Sequence, residues 1–299
     1  LEDWDAMCQL RLQLSYLHLT QGRIEETAQM LKEALEIAQR HQLKRSVEIL
    51  KRLCFVCIRT GDIEGAATYA RESALAAEAW GDSLRVGHAY SMLSRVNWQA
   101  GRFESAHFYI NEAAIRFERV GCRRGLAEVW NTRGELARAS GDYQAAEKAY
   151  LEARDRYESC GSESTVFASV NLCSTWVLSG QFSKAKETLD TLIDELKDGP
   201  IADILLFARL IRTICFIHSE AWEEVEEELS VLGSAFEQLS LVDTDIASTS
   251  RIAAEACDRA EQPELARLAW TITHNQLSAL GKTEDARVVA ERLGLIPST

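Results

Sequence analysis

The chain has 299 residues, 46% hydrophobic and 26% charged, with a net charge of −13 at pH 7. This length allows one large domain, two domains or an array of repeats. The acidic balance argues against nucleic acid as a partner, because phosphate binding needs an excess of lysine and arginine. No apolar run is long enough and free enough of charge to predict a membrane span.

The eight cysteines are scattered along the sequence, and most lie within helical patterns. This usage favours a reducing, cytoplasmic environment over a framework of disulfides. No signal peptide is recognisable at the start. Because the sequence begins at Leu1 without a methionine and enters a helical pattern at once, we expect it to be a fragment of a longer protein.

The strongest signal is a turn phrase that recurs every 39 or 40 residues. The phrase opens with a glycine in five places: Gly22, Gly61, Gly101, Gly141 and Gly180. A second set of glycines alternates with the first: Gly81, Gly121, Gly161, Gly199 and Gly281. Two turns per period predict two helices per repeat, with each glycine just past a helix end, where φ often becomes positive.

Other local signals support the same division into helices. Three aspartates follow a turn glycine and are expected to cap the next helix: Asp62, Asp82 and Asp142. Pro200 and Pro263 are expected at helix starts, where a missing N–H costs nothing. Apolar residues between turns step by three and four, which is typical of one face of a helix.

In chain order, the turns predict seven helix pairs and a final helix. The pairs occupy residues 3–40, 41–80, 81–120, 121–160, 161–198, 199–239 and 240–280, and the last helix caps the array within 281–299. No strand-like alternation of useful length occurs. We therefore predict an all-α protein, an α-solenoid that forms a single domain over residues 1–299.

The order of residues in the fourth repeat carries a family resemblance. The repeat contains Trp130, Gly134, Gly141, Tyr143, Ala146, Tyr150 and Ala153. This order resembles the tetratricopeptide repeat, whose usual unit is about 34 residues. The longer unit is similar to the repeats of bacterial signalling ATPases of the maltose-activator type and of Leu-Gly-Asn-repeat adaptors. The resemblance covers essentially the whole chain and implies a right-handed superhelix with a concave face lined by the first helices of the pairs.

The sequence contains little that indicates a metal site or a catalytic site. Cys54 and Cys57 form a Cys-x-x-Cys motif, but a zinc site needs two more ligands at suitable spacing, and both cysteines lie where the repeat favours small residues. No catalytic motif or phosphate-binding loop is present, so we expect no enzyme activity, no metal and no cofactor. Six glutamates crowd the stretch 220–228, which predicts a solvated outer face or, alternatively, an acidic docking patch.

The resemblance implies that positions thirteen, ten, six and three residues before a turn glycine face the concave groove. The candidate binding residues at or next to these positions are Lys51, Phe55, Arg59, His88, Arg95, Trp98, Asn131 and Arg138. The cations form a basic track in an acidic protein, and with the aromatic rings they suit an acidic peptide or a small anionic ligand. Alternatively, the cations pair with Glu48, Glu128 and Glu135 and only solvate the groove.

The same positions become apolar in the fifth and sixth repeats. They include Phe167, Phe207, Leu210 and Ile214. If exposed, these residues would form a docking patch for an amphipathic helix. Burial within the array, or an error of register within these degenerate repeats, is the explanation that we favour over a docking patch.

We therefore predict a non-catalytic interaction scaffold that holds a peptide or helix in its concave groove, over the second to fourth repeats. The bound segment would come from a partner or from the parent protein itself. The alternative is a ligand-sensing regulatory domain of a larger bacterial signalling ATPase or kinase. An enzyme is the third and least supported class, and neither nucleic acid nor a membrane is expected as a partner.

Overall fold

The computed structural model describes residues 3–20, 23–197, 199, 201–239 and 241–296, without the side chain of Thr20. The predicted turn at Gly22 and the predicted helix start at Pro200 lie outside these residues. Fifteen α-helices and no strand occur in the described part of the chain. The all-α solenoid of helix pairs is thereby confirmed, and the handedness of its superhelix stays a prediction.

The chain divides into two compact units, Leu1–Ser169 and Val170–Thr299. The first unit contains four helix pairs: α1 (Trp4–Thr20) with α2 (Ile24–Arg40), α3 (Ser46–Arg59) with α4 (Ile63–Ala79), α5 (Ser83–Gln99) with α6 (Phe103–Val120), and α7 (Arg123–Ala139) with α8 (Tyr143–Ser159). Each of these pairs falls within a predicted repeat. The prediction of one continuous domain over residues 1–299 stays a prediction.

The helix α9 (Thr165–Leu178) begins in the first unit and ends in the second. The helices after it are α10 (Phe182–Leu196), α11 (Ala202–His218), α12 (Trp222–Gln238), α13 (Thr244–Arg259), α14 (Pro263–Ala279) and α15 (Thr283–Arg292). They follow the remaining predicted repeats, and α15 lies where the final helix was expected. Pro263 is the first residue of α14, as predicted.

The predicted turn glycines adopt the left-handed backbone that only glycine takes at no steric cost. Every one of them among the described residues has a φ between 62° and 80°, with the exception of Gly199. Gly199 does not show this positive φ, so the expectation was wrong there, although its N–H donates to the carbonyl of Leu196 at 2.9 Å just as the other turn glycines donate to the carbonyl three residues earlier.

The degenerate repeats keep the turn geometry without the glycine. Glu220 and Glu261 occupy the positions of the turn glycine and have φ values of 57° and 56°. A non-glycine residue with positive φ is uncommon. The repeat therefore continues as structure after its sequence signal has weakened.

The expected helix caps are present. The carboxylates of Asp62, Asp82 and Asp142 each accept a hydrogen bond from the backbone N–H three residues later, at 2.9 to 3.0 Å. Such a bond satisfies one of the free N–H groups of the first helical turn and stabilises the helix by about 1 kcal/mol.

Small residues allow the two helices of a pair to approach closely. Ala66, Ala106 and Ala146 are fully buried at equivalent positions of α4, α6 and α8. Gly134 of α7 faces Tyr150 of α8, which is also fully buried, and a Cβ on Gly134 would lie 2.6 Å from the tyrosine ring. This close contact explains why a glycine occupies the middle of a helix in the fourth repeat.

The Cys-x-x-Cys pair belongs to the packing of the first unit. Cys54 is buried in α3, and desolvation raises the pKa of its thiol to about 12 and that of Cys57 to about 11. A thiol held in its neutral form is a poor metal ligand and a poor nucleophile. Among the described residues, no three His, Cys, Asp or Glu side chains are grouped to hold a metal ion.

Helix length and hydropathy also bear on membranes. Across the described ranges, every helix is too short or too polar to cross a membrane.

Candidate functional site

A cleft of about 930 Å³ opens in the first unit, mainly between α1, α3 and α5, which are the first helices of three consecutive pairs. Its apolar wall consists of Leu12, Val47, Phe55, Leu84, Ala89 and Met92. Its polar wall consists of Gln9, Gln13, Tyr16, Glu48, Lys51, Arg52, Ser73, Arg85 and His88. The volume lies within the usual range of ligand sites in proteins, about 300–1,000 Å³.

The helical repeat explains why these side chains meet. Glu48, Lys51 and Phe55 lie thirteen, ten and six residues before Gly61, and His88 lies thirteen residues before Gly101. Such steps of three and four residues place side chains on one face of a helix. Successive first helices therefore present equivalent positions to the same cleft.

Three of the eight candidate binding residues line this cleft: Lys51, Phe55 and His88. The other five do not: Arg59, Arg95, Trp98, Asn131 and Arg138. This cleft lies in the first three repeats, and the expectation of a binding groove over the second to fourth repeats stays a prediction. A role in binding for the five residues outside the cleft stays a prediction.

The cleft also contains residues that the sequence analysis missed. Gln9, Leu12 and Tyr16 of α1 lie thirteen, ten and six residues before Gly22, so the same count applied to the first repeat would have found them. Arg52 had no such signal, because it lies one residue beyond the counted position of Lys51. Its long side chain reaches the cleft from the edge of the helix face.

Charges on successive first helices pair along the inner face of the first unit. Glu48 of α3 lies 3.0 Å from Arg85 of α5, and Arg95 of α5 lies 3.8 Å from Glu135 of α7. Asn131 also donates a hydrogen bond to Glu135 at 2.9 Å. The alternative that the groove cations pair with groove glutamates therefore holds for Arg95, while Glu48 pairs with an arginine outside the predicted set.

Glu128 joins the same face of the unit. Its carboxylate lies 3.4 Å from Nδ1 of His88. Burial alone would raise the pKa of Glu128, but its interaction with His88 and the charges of Lys51 and Arg95 outweigh burial and hold that pKa below 4.5. The carboxylate is therefore ionised at neutral pH and offsets part of the positive charge of this face.

Arg52 differs from the other cations of the cleft. It is half-buried, and no carboxylate of the described chain forms an ion pair with its guanidinium. Burial lowers the pKa of Arg52, and the neighbouring Tyr16 opposes this effect. A desolvated charge without an opposite partner costs free energy, which an anionic ligand would recover.

The apolar docking patch proposed for the fifth and sixth repeats is not an exposed surface. Phe207 is 9% exposed, Ile214 is 5% exposed and Leu210 is fully buried in the second unit. They are covered because α11 packs against α10, α12 and α13. Burial, one of the alternatives, is the explanation for these three residues. Phe167 belongs to the first unit and is 40% exposed.

Five of the six glutamates in the stretch 220–228 are exposed, and the exception is Glu228. Its carboxylate is buried in the second unit and accepts hydrogen bonds from Arg209 at 2.8 Å and from Arg212 at 2.6 Å. Arg212 also donates to Asp190 at 2.9 Å. A solvated outer face was therefore wrong for Glu228, because two arginines of α11 draw its side chain into the unit.

Several solved structures have a similar fold. A Rap protein complexed with Competence and Sporulation Factor matches with a TM-score of 0.72 and 16% identity, over 92% of this chain and 76% of that chain. The Rap conjugation gene regulator of the plasmid pLS20, in complex with the Phr* peptide, matches with a TM-score of 0.68 and 12% identity, over 96% of this chain and 76% of that chain. At such low identities these matches establish a common fold alone.

A third match is a signal transduction ATPase with numerous domains (STAND) from Pyrococcus horikoshii that has a tetratricopeptide repeat sensor. Its TM-score is 0.61 at 13% identity, over 96% of this chain and 47% of that chain. Comparison with curated proteins gave no match. The family model of the MalT-like TPR region matches residues 2–237. Because this match spans most of the sequence, the chain belongs to the family of MalT-like tetratricopeptide repeat regions.

Proposed function

We propose that this chain is a regulatory helical-repeat domain that binds a protein segment in the cleft of its first unit and catalyses no reaction. The observation that carries the proposal is the combination of an apolar wall with Arg52, a half-buried cation that has no ion-pair partner in the described chain. The similar fold of a Rap regulator in complex with the Phr* peptide supports a peptide as the ligand class.

The walls of the cleft indicate the chemistry of the bound segment. Phe55 and Met92 offer a flat apolar surface to an aliphatic or aromatic side chain. The guanidinium of Arg52 offers paired N–H donors to a carboxylate, and Lys51 adds a second positive charge. A peptide with an apolar residue close to an aspartate, a glutamate or its own terminal carboxylate satisfies both requirements.

The inventory of the cleft supports binding without catalysis. Its only histidine, His88, lies beside Glu128 as a general base would. However, the hydroxyl of Ser73, the serine of the cleft, donates to the carbonyl of Val47 at 3.2 Å, and that of Ser91 has no hydrogen bond within the described chain, so no activated nucleophile accompanies His88. The cleft lining also contains no cysteine.

A small anionic ligand is the second candidate, and the same cleft favours it. Its volume suits a single small molecule, and the matched STAND protein has a tetratricopeptide repeat sensor. In that case the chain would be the sensing domain of a larger signalling ATPase or kinase. The ligand would stabilise one packing of the first three helix pairs and so change the contacts of a neighbouring domain.

Selection from a displayed library of random 12-residue peptides tests the proposal. We expect the selected peptides to combine an acidic group with an apolar side chain. Arg52→Gln should weaken their binding about ten- to a hundredfold, the value of a charge-assisted hydrogen bond of about 1.5–3 kcal/mol. Arg71→Gln is the matched control, because Arg71 is exposed on α4 and lies outside the cleft.

The outcomes separate the two candidates. Peptides that bind wild type and Arg52→Gln equally well would place the site elsewhere. If no peptide is selected, anionic metabolites are tested by thermal shift, since a ligand that binds only the folded state raises the melting temperature. A shift that Arg52→Gln abolishes and Arg71→Gln keeps would establish the sensor instead.

A further inference from the structure

The helix α1 presents an uncovered row of leucines. Leu10 is 55% exposed, Leu14 is 37% exposed and Leu17 is 49% exposed. They are spaced by four and three residues, so they lie on one face of the helix. Ala6, the other exposed residue of this row, carries no charge. The three leucines are not among the residues that line the cleft, whereas Gln13, at the edge of the row, is one of them.

The later repeats show what this face does elsewhere in the first unit. The three leucines lie twelve, eight and five residues before the turn residue Gly22. The equivalent residues are Ile49, Leu53 and Val56 in α3, and Ala89, Leu93 and Val96 in α5. All six are at most 4% exposed. The row is therefore buried in α3 and α5 but uncovered in α1, and in α7 the half-buried Arg133 stands between the buried Val129 and Leu136.

In α3 and in α5, the equivalent row is covered by the preceding helix pair. The row of α3 packs in one cluster with Leu31, Ala34 and Ala38 of α2. The row of α5 packs in one cluster with Ala66, Ala67, Ala70 and Ala74 of α4. The second helix of the covering pair thus presents alanines three and four residues apart, which lets large side chains seat close to its backbone.

In a second copy of the chain, the alanine rows are already covered. The alanine rows of α2, α4, α6 and α8 include Ala34, Ala66, Ala106 and Ala146, and all four are fully buried. In α14, the alanines 266 and 269 are also buried. Within the described residues these alanine rows are already buried, so the only surface of this kind that another copy offers to the leucines of α1 is its own leucine row.

We propose that the face formed by Leu10, Leu14 and Leu17 is a stacking surface for a tetratricopeptide-type helix pair that lies outside these 299 residues. The second helix of that pair presents alanines three and four residues apart. The pair packs on α1 as α2 packs on α3. This surface is independent of the cleft, and it would hold even if the cleft bound no peptide.

The test supplies such a pair from the chain's own sequence. A copy of residues 3–41 is fused ahead of residue 3 of the full chain, which keeps the period of 39 residues between turn positions. The substitution Leu14→Cys in the original α1 places a thiol in the leucine row. The rate at which this thiol is labelled, followed by peptide mass, measures whether the added helix pair covers the row. We expect labelling to be at least about tenfold slower in the fusion than in the unfused chain.

The matched control fusion carries Leu10→Gln and Leu17→Gln in the original α1. Both residues are exposed, so the chain should fold, and labelling should stay as fast as in the unfused chain. An unchanged labelling rate in the first fusion would overturn the proposal. The added pair has only α1 to stack on, so a failure of the fusion to gain helix content in circular dichroism would overturn it too.

Sedimentation of the unfused chain decides between a helix pair and a second copy. We expect a monomer at micromolar concentration. A dimer that dissociates when Leu10→Gln and Leu17→Gln are introduced would show that a second copy covers the leucine row, and would overturn the proposal.

Discussion

The two units place arginines on the first helices of their pairs, but they use them differently. In the first unit, Arg52 faces an open cleft without an acidic partner in the described chain. In the second unit, Arg209 and Arg212 are directed onto the buried carboxylate of Glu228. The first unit therefore keeps Arg52 without an acidic partner beside Arg85 and Arg95, which are paired, whereas both arginines of α11 are paired inside the second unit.

The difference teaches how a repeat protein separates stability from binding. In a buried ion pair, the attraction between the two charges offsets the cost of their desolvation, and neither charge remains available to bind a ligand. A half-buried charge without a partner makes no such contribution to folding, but it is already partly desolvated for an incoming anion. Local charge compensation, rather than the sequence of the repeat, distinguishes the inner face of α11 from the cleft of the first unit.

The largest expected effect concerns Glu228 in the second unit. Glu228→Gln removes the carboxylate and leaves Arg209 and Arg212 without their main partner, so the free energy of unfolding should fall by about 3 kcal/mol. Urea denaturation followed by circular dichroism measures the change. Glu227→Gln is the control, because Glu227 is exposed on the same helix and should change stability by less than about 0.5 kcal/mol. Equal effects of the two variants would refute the claim that the ion pairs of Glu228 with Arg209 and Arg212 stabilise the second unit.

A pair of glycines compares the packing of the two units. Gly134→Ala in α7 should destabilise by about 1–3 kcal/mol, since the new Cβ would lie 2.6 Å from the ring of the buried Tyr150. Gly233→Ala in α12 should stabilise by up to about 1 kcal/mol, since the nearest atom to its Cβ, in Ile272, is 3.8 Å away and alanine favours helix. Thermal unfolding measures the change in melting temperature, which we expect to be negative for Gly134→Ala and positive for Gly233→Ala. Changes of the same sign in both variants would contradict the prediction.

A third prediction uses acid to weaken the ionic cluster of the second unit. Burial would raise the pKa of Asp190, but hydrogen bonds from Lys186 and Arg212 outweigh it and hold that pKa below 3.8. Ionised Asp190 therefore stabilises the folded state above the unfolded pKa, and this contribution is lost as pH falls from 3.8 through the folded pKa. The melting temperature of Asp190→Asn should depend less on pH in this window than that of wild type. Parallel pH profiles would contradict the prediction.

The smallest effect on stability is expected at the cleft. Arg52→Gln should change the free energy of unfolding by less than about 0.5 kcal/mol, because no ion pair of the described chain is lost. Arg212→Gln, the same substitution in the second unit, should cost more, because it removes a partner of both Glu228 and Asp190. Urea denaturation of the two variants side by side sharpens the comparison. A loss at Arg52 as large as at Arg212 would mean that Arg52 has a structural role.

The sequence predicted the helices well because their signals are local. Turn glycines, capping aspartates and apolar steps of three and four residues act within one or two helical turns, so each can be recognised without the rest of the chain. The cleft was predicted in part, through Lys51, Phe55 and His88. Applying the positional count to the first repeat would have added Gln9, Leu12 and Tyr16.

Other features could not be predicted because they depend on side chains meeting across helices. The pairing of Arg95 with Glu135 joins α5 to α7; the count of six residues before each turn glycine placed both on the groove face, but it did not indicate which cation would pair with which glutamate. Likewise, Glu228 looked like its exposed neighbours in an acidic stretch, and only the two arginines of α11 explain its burial. The missing partner of Arg52 is a property of the folded unit and has no local signal.

The left-handed turns at Glu220 and Glu261 have a consequence for how such repeats drift in evolution. Each turn adopts a conformation that its own residue disfavours, so the helices on either side must impose it. Once neighbouring helices enforce a turn, mutation away from glycine costs a modest strain and does not break the array. The number of repeats in such a chain is therefore given more reliably by positive φ values at its turns than by its glycines.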